Sequence, residues 1–213
     1  MEITKYGHAC ISLEKDGRRL LIDPGGLTPD AAAIPADALL ITHEHNDHFV
    51  PATVGAALDR NPDLQIYANA AVATELPGLG GALHVVGHGD TFEVAGFSVQ
   101  VHGEWHAVIH QDIPLVTNVG YLVDEHIFHP GDALTVPEVP VDTLLVPISG
   151  PWGKVGELVD WVREVGPRTT FAIHDGLLNG IGLGLMDRML GENGPGTGAG
   201  YRRLADEESA GTA

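Results

Sequence analysis

Cysteine, long apolar runs and positive charge are all scarce in this sequence. Cys10 is the single cysteine among 213 residues. An intrachain disulfide is therefore impossible, which suits a reducing compartment. Eleven lysines and arginines stand against 29 aspartates and glutamates, giving a formal net charge of −18. Such a chain repels phosphate backbones and anionic lipid surfaces. Neither nucleic acid nor a membrane is an expected partner. No apolar run approaches the roughly 20 residues of a membrane span. The opening Met1-Glu2-Ile3-Thr4-Lys5 has no basic stretch leading into an apolar core. No signal peptide is expected, and the cytoplasm is the expected location.

What is present is a globular composition, with 44% hydrophobic and 19% charged residues, enough to build a core. A chain of this length suits one domain spanning residues 1–213. The Gly-rich, polar stretch 191–213 is expected to be partly flexible. Ala9–Leu13 and Arg19–Ile22 read as a hairpin around Lys15-Asp16-Gly17. Further strands are expected at Ala38–Thr42, Leu64–Ala68 and Leu83–Val86, with two more around Ala95-Gly96 within Thr91–His102. Val119–Val123 and Ile127–His129 read as another hairpin, and Thr143–Pro147 and Thr170–Ile173 as strands. Helices are expected at Pro51–Arg60, Ala70–Glu75, Val155–Val165 and Gly182–Leu190, the third from the helical spacing of Val155, Leu158, Val159 and Val162. Tyr201–Leu204 reads as a candidate edge segment. Mixed strands with a few helices imply an α/β layered domain.

Histidine is the abundant oddity, with 12 copies. Four chemistry-bearing side chains crowd into Thr42-His43-Glu44-His45-Asn46-Asp47-His48, between a short apolar strand and a helix. In extended chain, side chains two apart point the same way, so His43 and His45 can grip one metal together. Asp47 and His48 come as the chain turns and can face a second position. Imidazole suits zinc, iron and other transition metals, and a carboxylate adds a harder ligand. The plain alternative is a polar loop in which Asp47 caps the helix. Burying several imidazoles without a metal would be costly, which favours the metal. Asp132 and His174 also lie just past apolar strands, where open α/β sheets place their sites.

Residues 43–48 match His-x-His-x-Asp-His, and here the sequence resembles the metallo-β-lactamase superfamily. The resemblance extends over nearly the whole chain and implies the αβ/βα four-layer sandwich. Leu21-Ile22-Asp23-Pro24-Gly25 is similar to the family's early strand and aspartate. The resemblance implies that His43, His45 and His106 hold one metal, and that Asp47, His48 and His174 hold a second. Asp132 would bridge the two. His102 and His110 lie near His106, and the family pattern is what favours His106. Tyr6-Gly7-His8-Ala9 followed by Asp23-Pro24 resembles the subgroup with ascorbate-6-phosphate lactonase-like and phospholipase D-like members. In that subgroup His8 would sit near the metals without being a standard ligand; a purely structural role stays open beside it.

The implied function is a zinc-dependent hydrolase, with manganese or iron as other metals. A metal-bridging hydroxide would attack a small ester, lactone or phosphoester. Asp47 would be catalytic as well as a ligand, and His110 is a candidate proton donor or substrate contact. Trp152 lines the pocket on one reading and is core on another. His84, His88, His126 and His129 have no ligand spacing, and Cys10 reads as packing. Two alternatives remain. One is an iron-dependent oxidoreductase on the same ligands, and the other is a metal-binding protein without activity. A small-molecule substrate is the expected partner; the oligomeric state cannot be read.

Overall fold

The computed structural model describes residues 1–31 and 34–212. Its first sheet is built from β1 (Glu2–Lys5), β2 (Ile11–Lys15), β3 (Arg18–Ile22), β4 (Ala38–Ile41), β5 (Gln65–Ala68) and β6 (Leu83–Val85). Its seventh strand, β14 (Ser209–Gly211), comes from the far end of the chain and lies beside β1 at one edge. Strands β3 to β6 run parallel to one another. The second sheet has the order β13-β12-β11-β10-β9-β8-β7. These strands are β7 (Thr91–Val94), β8 (Phe97–His102), β9 (Gly120–Val123), β10 (Ile127–His129), β11 (Thr143–Pro147), β12 (Thr169–Ile173) and β13 (Gly200–Arg202). Here β10 to β13 are parallel.

The pleat sends successive side chains to opposite faces. Leu20, Ile22 and Leu40 from the first sheet join Val99, Tyr121, Leu145 and Phe171 from the second in one core between the sheets. The alternate residues Leu21, Leu39 and Ile41 face outward and pack with Val54 of α1 (Pro51–Arg60) and Val72 of α2 (Ala70–Thr74). On the second sheet, Leu122, Leu144 and Val146 cluster with Leu158, Val159 and Val162 of α3 (Val155–Val165) and Leu190 of α4 (Gly180–Leu190). The result is helix, sheet, sheet, helix. It explains why the central strands read as continuous apolar runs: both of their faces are covered.

Three local features differ from the sequence expectation. The first hairpin begins at Ile11 rather than Ala9, because His8 adopts a φ of 45° and Cys10 N–H donates back to Gly7 O. Helix α4 begins at Gly180, where Asn179 accepts from the N–H groups of Ile181 and Gly182 and so caps it. Strands β1 and β14 have no counterpart in the sequence reading. Within the stretch that follows α4, Gly200–Arg202 and Ser209–Gly211 each supply an edge strand to one sheet. Among the described residues, no helix is long and apolar enough to cross a membrane.

Candidate metal centre

The parallel strands of both sheets deliver the chemistry-bearing side chains from their C-terminal ends. Asp23 follows β3, residues 43–48 follow β4, Asp132 follows β10, and His174 follows β12. His106 follows β8, at the base of an arm that returns to β9. The two sheets are tied together beneath the site. Tyr121 Oη donates to Ile41 O at 2.9 Å and Tyr67 O at 3.2 Å, and Val119 N donates to Thr42 O at 3.0 Å. Lys5 is buried and pairs with Asp175 at 2.9 Å, pinning β1 to the turn that carries His174.

Two sets of four ligand-type side chains converge. His43, His45, His106 and Asp132 form one, and His8, Asp47, His48 and His174 the other; within each set the candidate ligand atoms lie within 4.8 Å of one another. Asp132 joins the sets. Its Oδ1 is 3.1 Å from His48 Nε2, and its Oδ2 is 3.0 Å from His174 Nε2 and 3.4 Å from His106 Nε2. Asp47 Oδ2 is 3.4 Å from His174 Nε2. All seven ligand candidates named from the sequence are thus brought together.

The surroundings turn lone pairs toward the centre. Asp23 is fully buried, and its Oδ2 accepts from His48 Nδ1 and from Thr42 Oγ1, both at 2.7 Å. The Thr42 hydroxyl in turn accepts from His43 Nδ1 at 2.9 Å. His106 Nδ1 donates to Ala107 O at 2.6 Å. With Nδ1 carrying the proton, the neutral rings of His43, His48 and His106 turn Nε2 toward the centre as a lone pair, that of His43 lying 3.1 Å from His45 Nδ1. Nε2 of His48, His106 and His174, together with Asp132 Oδ1, are buried and have no aligned hydrogen-bond partner. Orphaned acceptors converging this closely are what a cation would satisfy, and the imidazole-carboxylate donor set fits a transition metal.

Electrostatics point the same way. Burial, reinforced by the neighbouring His48, pushes His43 well below the ordinary imidazole value. Burial also opposes charge on His48, but Asp132 and Asp23 outweigh it and hold that ring well above its usual value, so without a cation its Nε2 takes up a proton that a bound metal would displace. Asp132 is likewise held well below the carboxylate range, as His48, His106 and His174 overcome its burial. Carboxylates this deeply enclosed retain their charge only beside positive charge.

His8 differs from the other rings. Its Nδ1 accepts from Gly176 N–H at 3.2 Å, so Nε2 carries the proton and donates to Asp47 Oδ2 at 3.1 Å. It holds a ligand candidate in place. Trp152, open between pocket and core in the sequence, does both: it is buried, and its Nε1 donates to Asp132 Oδ2 at 3.1 Å. His110 is not in the cluster. It sits on the arm with its side chain 59% exposed, beside Asp112. His129 is structural, donating from Nε2 to Ala9 O and accepting from Gly131 N–H. Sequence reasoning missed the alignment by Thr42 and took Asp23 only as a family match. Both are ordinary residue types whose partners are set by the fold.

Two glycines are required by close approach. A Cβ on Gly25 would lie 2.0 Å from Asp47 O. Gly131 has a φ of 62°, and a Cβ there would lie 2.2 Å from Asn118 Oδ1, the atom that accepts from Asp132 N.

Comparison with known proteins agrees with this geometry. The family model described as beta-lactamase superfamily domain matches residues 2–174. The Mycobacterium tuberculosis protein Rv0786c is 38% identical over 184 residues, covering 84% of this chain and 85% of its own. A UPF0173 metal-dependent hydrolase of Methanopyrus kandleri is 33% identical over 150 residues, 62% of each chain. The crystal structure of a Parabacteroides distasonis protein described as a metal-dependent hydrolase superposes with a TM-score of 0.73 at 23% identity, covering 94% of this chain and 91% of the other.

Proposed function

This chain belongs to the beta-lactamase superfamily domain family and has the metallo-β-lactamase fold; on that premise we propose that it is a binuclear metal-dependent hydrolase of a small ester, lactone or phosphoester. One observation carries the reading: two sets of four ligand-type side chains lie side by side, and the Asp132 carboxylate of one reaches His48 and His174 of the other. His43, His45 and His106 would hold one cation and Asp47, His48 and His174 the other, with the Asp132 carboxylate placed to serve both. Zinc suits this donor set best, with manganese or iron as substitutes.

When bound, the cation pair supplies Lewis acidity, acidifying water toward a pKa of roughly 7 and stabilising charge on the attacked centre. The chain's own residues do the rest. Asp23 and Thr42 keep the rings of His48 and His43 in the ligating tautomer. The His8 N–H fixes Asp47, which also takes part in proton movement at the cluster. The Trp152 N–H orients Asp132. Hydrolysis adds the hydroxyl of water to the acyl carbon or phosphorus and breaks the bond to the leaving oxygen. The remaining proton goes to that oxygen, and His110 on the arm is the candidate donor. The single buried thiol, Cys10, suits the cytoplasm. Residues 1–213 act as one domain.

The test is metal analysis of freshly purified protein, followed by turnover of ester, lactone and phosphodiester substrates before and after chelation. Two metal ions per chain are expected, with activity lost on stripping and restored by zinc. His45→Ala should lose metal and hydrolysis together. Undiminished turnover in metal-depleted protein would refute the reading, and iron with oxygen-dependent turnover would favour the oxidative alternative.

A further inference from the structure

The arm between His106 and Thr117 carries the sequence Ala-Val-Ile-His-Gln-Asp-Ile-Pro-Leu-Val. Its base is closed by a bridge between Trp105 and Thr117 and by His106 N donating to Val116 O at 3.1 Å. Surface connections are ordinarily polar, yet here Val108, Ile113 and Leu115 stay 65%, 48% and 46% exposed. With His45 and His106 these residues enclose a hollow of about 440 Å³, within the range of ligand pockets. The hollow therefore opens directly onto the metal centre. Among the described residues, no lysine or arginine lines it. Its one carboxylate, Asp112, is 80% exposed.

An exposed apolar surface beside reactive groups marks a binding site rather than a packing fault. A charged group lying along the arm, away from the reacting centre, would meet no lysine or arginine in this hollow, whereas sites for anionic groups ordinarily supply one. A molecule with a carbonyl at the ligand cluster and an apolar tail along the arm would satisfy both ends.

We propose that this hollow is an acyl-chain subsite, so that the substrate is an uncharged carboxylic ester or lactone bearing an aliphatic tail. The inference rests on the hydrolase reading and narrows it. Attack of water on the acyl carbon breaks the bond to the leaving alcohol oxygen, which takes the proton, and the tail stays against the arm.

The test uses the zinc-loaded full chain. Turnover is compared for p-nitrophenyl acetate, butyrate, hexanoate and octanoate and for bis(p-nitrophenyl) phosphate. Calorimetry measures binding of butyrate, hexanoate and octanoate below their aggregation concentrations. Each added methylene should raise kcat/KM about two- to fourfold until the hollow is filled. Octanoate should bind about tenfold or more tighter than butyrate. Ile113→Asp and Leu115→Asp replace exposed side chains, so folding and metal content should persist. The octanoate-to-acetate ratio should collapse in both. Ester turnover indifferent to chain length would overturn the subsite and leave the hydrolase reading intact. Turnover confined to the phosphodiester would also overturn it. Absence of any turnover alongside a clear octanoate preference would sink the hydrolase reading while the subsite stood. Absence of both would end both.

Discussion

Asp23→Asn is the sharpest test of how this chain prepares its metal centre. Asp23 is fully buried. Its Oδ1 accepts from Thr42 N at 2.8 Å, and its Oδ2 accepts from Thr42 Oγ1 and His48 Nδ1, both at 2.7 Å. Asparagine keeps the shape and tolerates the left-handed backbone at this position, where φ is 52°. It offers one acceptor where three donors converge. If the amide oxygen keeps the Thr42 N–H, the amide nitrogen faces His48 Nδ1. Two donors cannot pair, so the His48 proton moves to Nε2 and cancels the lone pair aimed at the cation. Losing the partner that orients a metal-ligating histidine costs roughly 10- to 100-fold in metal affinity, or about 1.4–2.7 kcal/mol. The metal-free fold loses charge-assisted hydrogen bonds worth about 1.5–3 kcal/mol each. Competition against a fluorescent chelator reads the first effect, and urea unfolding of the stripped protein reads the second. A folded Asp23→Asn variant that binds zinc as tightly as the parent would refute the claim that Asp23 sets the His48 tautomer.

Two further substitutions probe the frame around the site. Gly25→Ala drives a methyl group into the backbone of Asp47 and His48; it should cost about 1–3 kcal/mol and lower metal occupancy. Thermal unfolding with metal analysis checks this, and a variant normal on both counts would show that the loop has slack. Asp187 on α4 accepts from Tyr201 Oη at 2.9 Å and from Arg203 Nε and Nη2 at 2.9 and 2.8 Å. The Arg203 hydrogen bonds, outweighing burial, hold its carboxyl below the ordinary value. Its contribution is present above the unfolded-state pKa of about 3.9 and is lost as pH falls through the lower folded value. With the side chain 35% exposed, solvent screening limits that contribution to about 1 kcal/mol or less. Asp187→Asn should therefore cost that much at pH 7 and progressively less on acidification, as read by urea unfolding across pH. An equal penalty at pH 7 and pH 2 would contradict the assignment.

Much of the fold was legible because its signals are local. The apolar runs of β3, β4, β11 and β12 announce strands covered on both faces, and α3 announces itself by its spacing. Strands β1 and β14 were not legible. Ser209-Ala210-Gly211 has little strand preference, and its extended form comes from pairing with Glu2–Thr4 some 200 residues away. The arm 107–116 was legible only as sequence near a histidine; nothing local says that its apolar side chains enclose a hollow beside His45.

The seven ligand candidates could be named from the chain alone. The 43–48 spacing picks out four of them and strand-end positions point to Asp132 and His174, whereas His106 is favoured over His102 and His110 only by the resemblance to the metallo-β-lactamase superfamily. Their tautomers could not be named. Which nitrogen of a ring keeps its proton depends on what the other nitrogen meets, and Asp23, Thr42, Ala107 and Gly176 reach those rings only when two sheets have closed on each other. Donor chemistry travels with the residue, whereas orientation belongs to contacts between segments far apart in the chain.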